Sequence, residues 1–268
     1  LNPNDYITAM IKIARNAGQR AMEHRERIDE MEVSFKGQAD LLCEADEDVE
    51  VLIFESFQKS HPDIAFQGEE GGLRGSEDAE LRWVVDPIDG TTNFLSGLPF
   101  TISIALVQDT TPIAGVIFSP VEDEIFSASI GQGAMLNGTP IKVREQTDPA
   151  RFVVGTGLPL DRYKHSMGAY DRLHQIREQV SAVRIMGSCA LSLANVACGR
   201  LDGYFEGPTG FLDCAAGIVI LKEAGGKVTD FWGTEDYPEN ITFTTGAPAC
   251  QAFLLETTKT APRELSKD

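Results

Sequence analysis

Apolar positions along the chain change their spacing from one region to the next. Between residues 5 and 27 they recur at helical intervals, at Ile7, Met10, Ile11, Ala14, Ala17, Gly18 and Ala21, with Lys12, Arg15, Arg20 and Glu23 mostly elsewhere. This predicts an amphipathic helix with Asp5 as its cap. Residues 32–46 are mixed, with a short strand, a Lys36-Gly37 turn and acids at Asp40, Glu44 and Asp46. A second helix is predicted over 46–60, with Val49, Leu52, Ile53 and Phe57 on one face and His61-Pro62 ending it. Ile64-Ala65-Phe66 reads as a strand running into Gln67-Gly68-Glu69-Glu70-Gly71-Gly72, and Val84-Val85 as a buried strand ending at Asp86. From Phe100 to Ile130 three apolar runs alternate with turn sequences, the pattern of an antiparallel meander, which an Asn137-Gly138 turn extends to residues 141–143.

Beyond the polar segment 144–150 the pattern alternates strand and helix. Strands are expected at 152–154, 183–186, 201–206, 227–229 and 241–243, and helices at 168–180, 188–198, 212–224 and 247–258. This is an α/β arrangement with helices covering a sheet, and it predicts an N-terminal sub-domain over 1–148 and a C-terminal one over 149–268.

Composition narrows the function. Of the 268 residues 42% are hydrophobic and 24% charged, which is ordinary for a globular chain, but the net charge is -18. Such a charge argues against a nucleic-acid backbone or an anionic membrane as general electrostatic partner. Cys43, Cys189, Cys198, Cys214 and Cys250 are scattered with no CxxC pair, so buried free thiols in a reducing compartment are expected. Neither a signal peptide nor a membrane-length apolar run is evident, and a cytoplasmic location is expected.

The chemistry concentrates in Asp86-Pro87-Ile88-Asp89-Gly90-Thr91-Thr92-Asn93-Phe94. A buried strand ending in two carboxylates beside a helix start brings anionic oxygens next to free backbone N–H groups, a combination suited to a divalent cation and a phosphate. A bound cation would also reconcile an acidic protein with an anionic ligand. Glu69 after a strand turn, and Asp213 at a helix start in Asp213-Cys214-Ala215-Ala216-Gly217, are further candidates; an acidic loop and a plain helix cap are the alternatives. Asp-x-Asp, the spacing of aspartyl-nucleophile phosphotransferases, is absent here, because two residues separate Asp86 from Asp89.

The 86–94 stretch resembles the first signature of the inositol monophosphatase family, lithium-sensitive, Mg²⁺-dependent phosphomonoesterases. Gly68-Glu69-Glu70, the 213–217 segment followed by Glu223-Ala224-Gly225-Gly226, Gly187-Ser188-Cys189-Ala190 with Tyr204-Phe205-Glu206, and Lys36 with Asp40–Cys43 resemble its other motifs in the same order. The resemblance implies a layered αβαβα sandwich with the site between two sheets, and a homodimer. It implies that Glu69, Asp86, Asp89, Asp213 and the Ile88 carbonyl hold two or three Mg²⁺. Glu69 and Thr91 would orient an attacking water, and Gly90 and Thr91 would bind phosphate. Asp89, Gly187, Ser188, Cys189, Glu206 and Asp213 would contact the substrate, with Glu206 accepting from its hydroxyls.

Inositol 1-phosphate is then the leading expected substrate. Histidinol phosphate is the runner-up, with Asp161 or Glu206 facing its ammonium; fructose 1,6-bisphosphate and 3′-phosphoadenosine 5′-phosphate follow, the last with Arg162, Tyr163 and Lys164 as partners. A non-catalytic regulatory protein that keeps the fold is the alternative of another class. Three features depart from the family pattern: Leu212 stands where Trp is common, Cys43 where Thr is usual, and Gly207-Pro208-Thr209-Gly210 precedes the second signature.

Overall fold

The computed structural model describes residues 2–28, 33–37, 40–158, 166–235 and 240–259. The expected alternatives at Asp161, Arg162, Tyr163 and Lys164 lie outside the described residues, as do the side chains of Lys36 and Cys43.

In the first half α1 (Asn4–Arg25) is followed by the antiparallel hairpin β1 (Val33–Gly37) and β2 (Asp40–Cys43), then α2 (Glu44–Ser60). An eight-stranded sheet is built from β3 (Ala65–Gly68), β4 (Gly72–Arg74), β5 (Leu81–Asp89), β6 (Thr101–Gln108), β7 (Thr111–Ser119), β8 (Glu124–Ser129), β9 (Ala134–Leu136) and β10 (Thr139–Ile141), in the order β10-β9-β8-β7-β6-β5-β3-β4, with α3 (Thr91–Leu95) between β5 and β6. The meander is antiparallel as expected, but β3 pairs parallel with β5. The second half holds β11 (Val153–Thr156), α4 (Ser166–Arg177), β12 (Ala182–Ile185), α5 (Cys189–Ala197), β13 (Gly203–Gly210), α6 (Phe211–Glu223), β14 (Lys227–Thr229), β15 (Asn240–Gly246) and α7 (Pro248–Lys259). Its five strands form a mixed sheet ordered β12-β11-β13-β15-β14.

Alternation within the strands explains the layering. Trp83 and Val85 of β5, Ile104 of β6 and Val116 of β7 face a core built with Met10, Ala14 and Ala17 of α1 and Val49, Ile53 and Phe57 of α2. Their neighbours Val84, Ala105 and Ile117 face a second core with α5, α6 and the residues Tyr204 and Phe243 of the smaller sheet. A third core joins Phe152, Val154 and Phe205 to Ile176 of α4 and Leu254 of α7. The order of layers is therefore α1/α2, large sheet, α5/α6, small sheet, α4/α7, a mixed α/β fold of αβαβα type. A sheet covered on both faces reads as unbroken apolar runs, which is how β5 to β7 look in the sequence. Helix α6 lies between two sheets, and Cys214 to Leu221 are buried all round. Small residues permit the approach. A Cβ on Gly217 would lie 2.4 Å from Leu193 Cδ1 of α5, and one on Gly115 of β7 would lie 2.7 Å from Ala216 O.

Three expectations are corrected. Pro3, not Asp5, occupies the N-cap of α1, and no side-chain cap bond is made there; Asp5 sits in the first turn and accepts from Asn2 Nδ2. Strand β5 does not stop at Asp86 but continues through Pro87 to Asp89, with a register shift against β6 at that point. A bulge is where a strand tolerates a residue lacking an N–H. β13 likewise extends past Glu206 to Gly210, across a shift between Glu206 and Thr209. Cys189, Cys214 and Cys250 are buried free thiols and Cys198 is half-buried. Among the described residues no helix is long and apolar enough to cross a membrane.

Candidate functional site

Because β3 and β5 run parallel, their carboxyl ends fall at one edge of the large sheet, and Glu69 follows the first while Asp86 and Asp89 close the second. In the small sheet β11, β12 and β13 also run parallel, so Gly157 and Ile185, at the ends of β11 and β12, come beside Glu206, where β13 shifts register. These edges open into one cleft of about 280 Å³. Glu69, Asp86, Ile88, Asp89, Gly90, Thr91, Gly187, Ser188, Cys189, Glu206 and Asp213 all line it. Thr92, Gly157, Leu158, Ile185, Tyr204 and Thr209 complete the lining and were not singled out as site residues in the sequence.

Local interactions hold each acid. The buried Asp86 carboxylate accepts from Ile88 N at 3.0 Å, which shapes the bulge around Pro87. Asp89, also buried, accepts from Ser188 Oγ (2.5 Å), Ala190 N (2.6 Å), Cys189 N (3.2 Å) and Thr101 Oγ1 (3.2 Å). It thus sits on the N-terminus of α5, where the unpaired N–H groups and the helix dipole favour an anion. Ser188 is the cap of that helix and accepts from Leu191 N. Asp213 accepts from Thr209 Oγ1 (3.0 Å) and Gly210 N (3.3 Å) at the start of α6. It is both a helix cap and a cleft carboxylate. The Gly-Pro-Thr-Gly departure therefore supplies Asp213 with a hydrogen-bond donor.

Two glycines bring the halves together. Gly90 has φ 97°, and a Cβ there would lie 2.8 Å from Gly187 O; Gly187 has φ 73°, and its Cβ would lie 2.6 Å from Asn93 Oδ1. Asn93 Nδ2 donates to Met186 O and Pro99 O, both at 2.8 Å, and ties the first signature to the segment before α5.

Sequence reasoning missed two carboxylates. Asp46 and Glu50 of α2 are buried, and they share the stripe of Val49, Ile53 and Phe57. Thr91 Oγ1 lies 3.3 Å from Asp46 Oδ1 and 3.4 Å from Ile88 O, either of which can accept its proton. Glu50 accepts from Glu70 N (2.7 Å) and Gly71 N (2.8 Å), fixing the turn that carries Glu69, and its carboxylate fills the space that a Cβ on Gly68 or Gly71 would need. The available signal was an acid at an apolar position of an amphipathic helix, since such residues are seldom buried without a partner.

Burial dominates the electrostatics of these acids, and their mutual charge adds to it. Burial, followed by the charges of Glu69, Asp89, Asp213 and Asp46, raises Asp86 well above the ordinary carboxylate range. Burial raises Asp89 to about 6 against the pull of its four hydrogen bonds. Asp213 rises to about 7 through burial and the charges of Asp89 and Glu69, and Glu206 to about 7, chiefly through burial. The described lining contains no Lys, Arg or His. A set of hard oxygen donors of this kind fits a hard divalent cation. Among the described residues no three His, Cys, Asp or Glu side chains already converge as a metal centre.

Known proteins resemble the chain along most of its length. Residues 2–263 match the model of the inositol monophosphatase family. The chain is 37% identical to an inositol-1-monophosphatase of Mesorhizobium japonicum, over 94% of this chain and 96% of that protein. It is 38% identical to the Nus factor SuhB of Xylella fastidiosa, over 85% and 83% respectively. Among solved structures, the extragenic suppressor protein suhB of Bartonella henselae superposes with a TM-score of 0.92 at 35% identity, covering 96% of this chain and 99% of that one.

Proposed function

The chain belongs to the inositol monophosphatase family, and on that premise we propose that it is a Mg²⁺-dependent phosphomonoester hydrolase acting on the phosphate of a small polyol, inositol 1-phosphate foremost. The supporting observation is the gathering of carboxylates: Glu69, Asp86, Asp89, Asp213 and Glu206 share a cleft whose described lining has no basic side chain. A phosphate dianion is repelled from such a surface unless cations stand between. Glu69, Asp86, Asp89, Asp213 and the Ile88 carbonyl are the oxygens that would hold two or three Mg²⁺. When bound, Mg²⁺ neutralises the phosphate and acidifies a water for in-line attack.

The chain's own groups do the rest. Glu69 and Thr91 orient the attacking water, and Asp46 accepts the Thr91 hydroxyl proton and so fixes that hydroxyl's direction. The N–H groups of Gly90 and Thr91, which have no acceptor within a helix that begins there, take phosphate oxygens. Gly187, Ser188 and Cys189 form the wall at the start of α5, and Glu206 accepts from the alcohol's hydroxyls.

Among the described residues, Glu206, Tyr204, Leu158 and Ile185 of the cleft lining include no cation for a second phosphate. Histidinol phosphate ranks second, ahead of fructose 1,6-bisphosphate and 3′-phosphoadenosine 5′-phosphate. The reading includes a cytoplasmic homodimer, which light scattering tests. The relatives named Nus factor favour a second reading, a regulatory protein that acts by binding a partner and needs no turnover.

The test is phosphate release from these four esters with Mg²⁺, with and without millimolar Li⁺, by the unaltered protein and by Asp89→Asn. Mg²⁺-dependent, Li⁺-inhibited release is expected, highest in kcat/KM for inositol 1-phosphate and lowered about 10³-fold in the variant. No release from any ester overturns the hydrolase reading and leaves the regulatory one; release unaltered by Asp89→Asn removes Asp89 from the metal set.

A further inference from the structure

Tyr204 lies on β13 two residues before Glu206, so the two side chains leave the strand on the same face. The Tyr204 ring is 2% exposed and belongs to the core between the sheets, but its hydroxyl reaches the cleft and donates to Glu206 Oε2. Gly157 stands on the opposite side of the carboxylate, just past the end of β11. A Cβ at position 157 would lie 1.6 Å from Glu206 Oε1, so any other residue there displaces the acid. A half-buried carboxylate with no cation beside it among the described residues gains by turning out towards water. Here a fixed phenol and a missing side chain hold it inward. Burial raises the Glu206 carboxyl to about 7, and the Tyr204 hydroxyl opposes that rise by favouring the ionised, accepting form.

We propose that Tyr204 and Gly157 are positioning residues that hold the Glu206 carboxylate in the cleft and thereby set a preference for phosphate esters whose alcohol part carries hydrogen-bond donors. This rests on the cleft being that of a phosphomonoesterase. Among the described residues, Leu158 and Ile185, the latter 54% exposed, also line the cleft and carry no acceptor side chain, so Glu206 is the acceptor held in place by Tyr204 and Gly157. A site that hydrogen-bonds a substrate hydroxyl discriminates more strongly than an apolar pocket does, because its polar group is left unpaired by the wrong ligand.

The experiment compares kcat/KM for inositol 1-phosphate with that for p-nitrophenyl phosphate, which has no donor on its alcohol part, in the Mg²⁺-loaded protein. Tyr204→Phe removes one oxygen and keeps the ring in the core. It is expected to lower the ratio of the two constants about tenfold, mainly through KM for the polyol ester, and Gly157→Ala is expected to lower it in the same direction. A merely structural role reduces both constants together and leaves the ratio alone. A ratio within twofold of the unaltered protein in both variants overturns the assignment; if Tyr204→Phe does not fold, Gly157→Ala decides. Failure of the unaltered protein to hydrolyse either ester overturns the hydrolase reading itself, and this assignment with it, which is a different result from hydrolysis with an unchanged ratio.

Discussion

Thr91 illustrates how much one side chain depends on a residue far from it in sequence. Its hydroxyl can donate to Asp46 Oδ1 or to Ile88 O, and only the first direction keeps the Ile88 carbonyl free. Asp46→Ala removes the first acceptor and leaves Thr91 to turn to the carbonyl. The expected outcome is a fall in kcat of about tenfold with little change in KM, the signature of an interaction that matters in the transition state; steady-state kinetics on inositol 1-phosphate measures it. Equal losses in Asp46→Ala and Asp46→Asn would show that the carboxylate's charge matters, whereas rescue by Asn points to its acceptor oxygen. The sequence made Asp86, Asp89, Glu69 and Asp213 visible because glycines, a strand end or a helix start mark each of them. Asp46, at the start of the predicted 46–60 helix, carries the same mark with nothing beside it to suggest a site, and Glu50 carries none. They are legible only when α2 is seen to place two acids in its own apolar stripe, and that requires knowing which face is buried.

At the scale of elements, apolar runs located most strands and helices, and failures came where tertiary pairing overrode a local breaker. Pro87 reads as a strand end, yet β5 absorbs it in a bulge; Gly207-Pro208-Thr209-Gly210 lies beyond the strand expected over 201–206, yet β13 continues through it beside β15. Both shifts are bounded by cleft residues, Asp86 with Asp89 and Glu206 with Thr209, consistent with the use of bulges to re-aim side chains at sites. The Ala215-Ala216-Gly217 run was legible as a close-packing surface but not for its partner, since Leu193 lies on another helix. Gly217→Ala places a methyl 2.4 Å from Leu193 Cδ1. Overpacking of this kind is expected to cost about 1–3 kcal/mol, seen as a lower denaturation midpoint. Adding Leu193→Ala to Gly217→Ala should destabilise less than the sum of the two single changes, because each relieves the other; simple additivity in a double-mutant cycle would place the strain elsewhere.

Over the whole molecule, the acids of the cleft make stability depend on pH and metal together. Asp89, Asp213 and Glu206 all have folded-state values above their ordinary 3.8 or 4.5, at about 6, 7 and 7. For a group raised in this way the favourable contribution is complete below the unfolded value and is lost as pH rises through the folded one. The metal-free protein is therefore expected to lose stability between about pH 4 and 7, the reverse of an acid held by a salt bridge. The net charge of -18 acts in the same direction, because ionising acids add to general repulsion. The two contributions separate experimentally: monovalent salt screens the diffuse one, whereas Mg²⁺ acts on the cleft. Thermal melts of chelator-treated protein should show Tm rising by roughly 5 °C from pH 8 to pH 5.5. At pH 8, Mg²⁺ should raise Tm well beyond NaCl of equal ionic strength and flatten its dependence on pH. Asp213→Asn, which removes one of the raised acids, should flatten the metal-free profile and weaken the response to Mg²⁺. Identical pH profiles with and without Mg²⁺ would mean that the cation does not bind among these carboxylates, and the repulsion within the cleft would then need another source of relief.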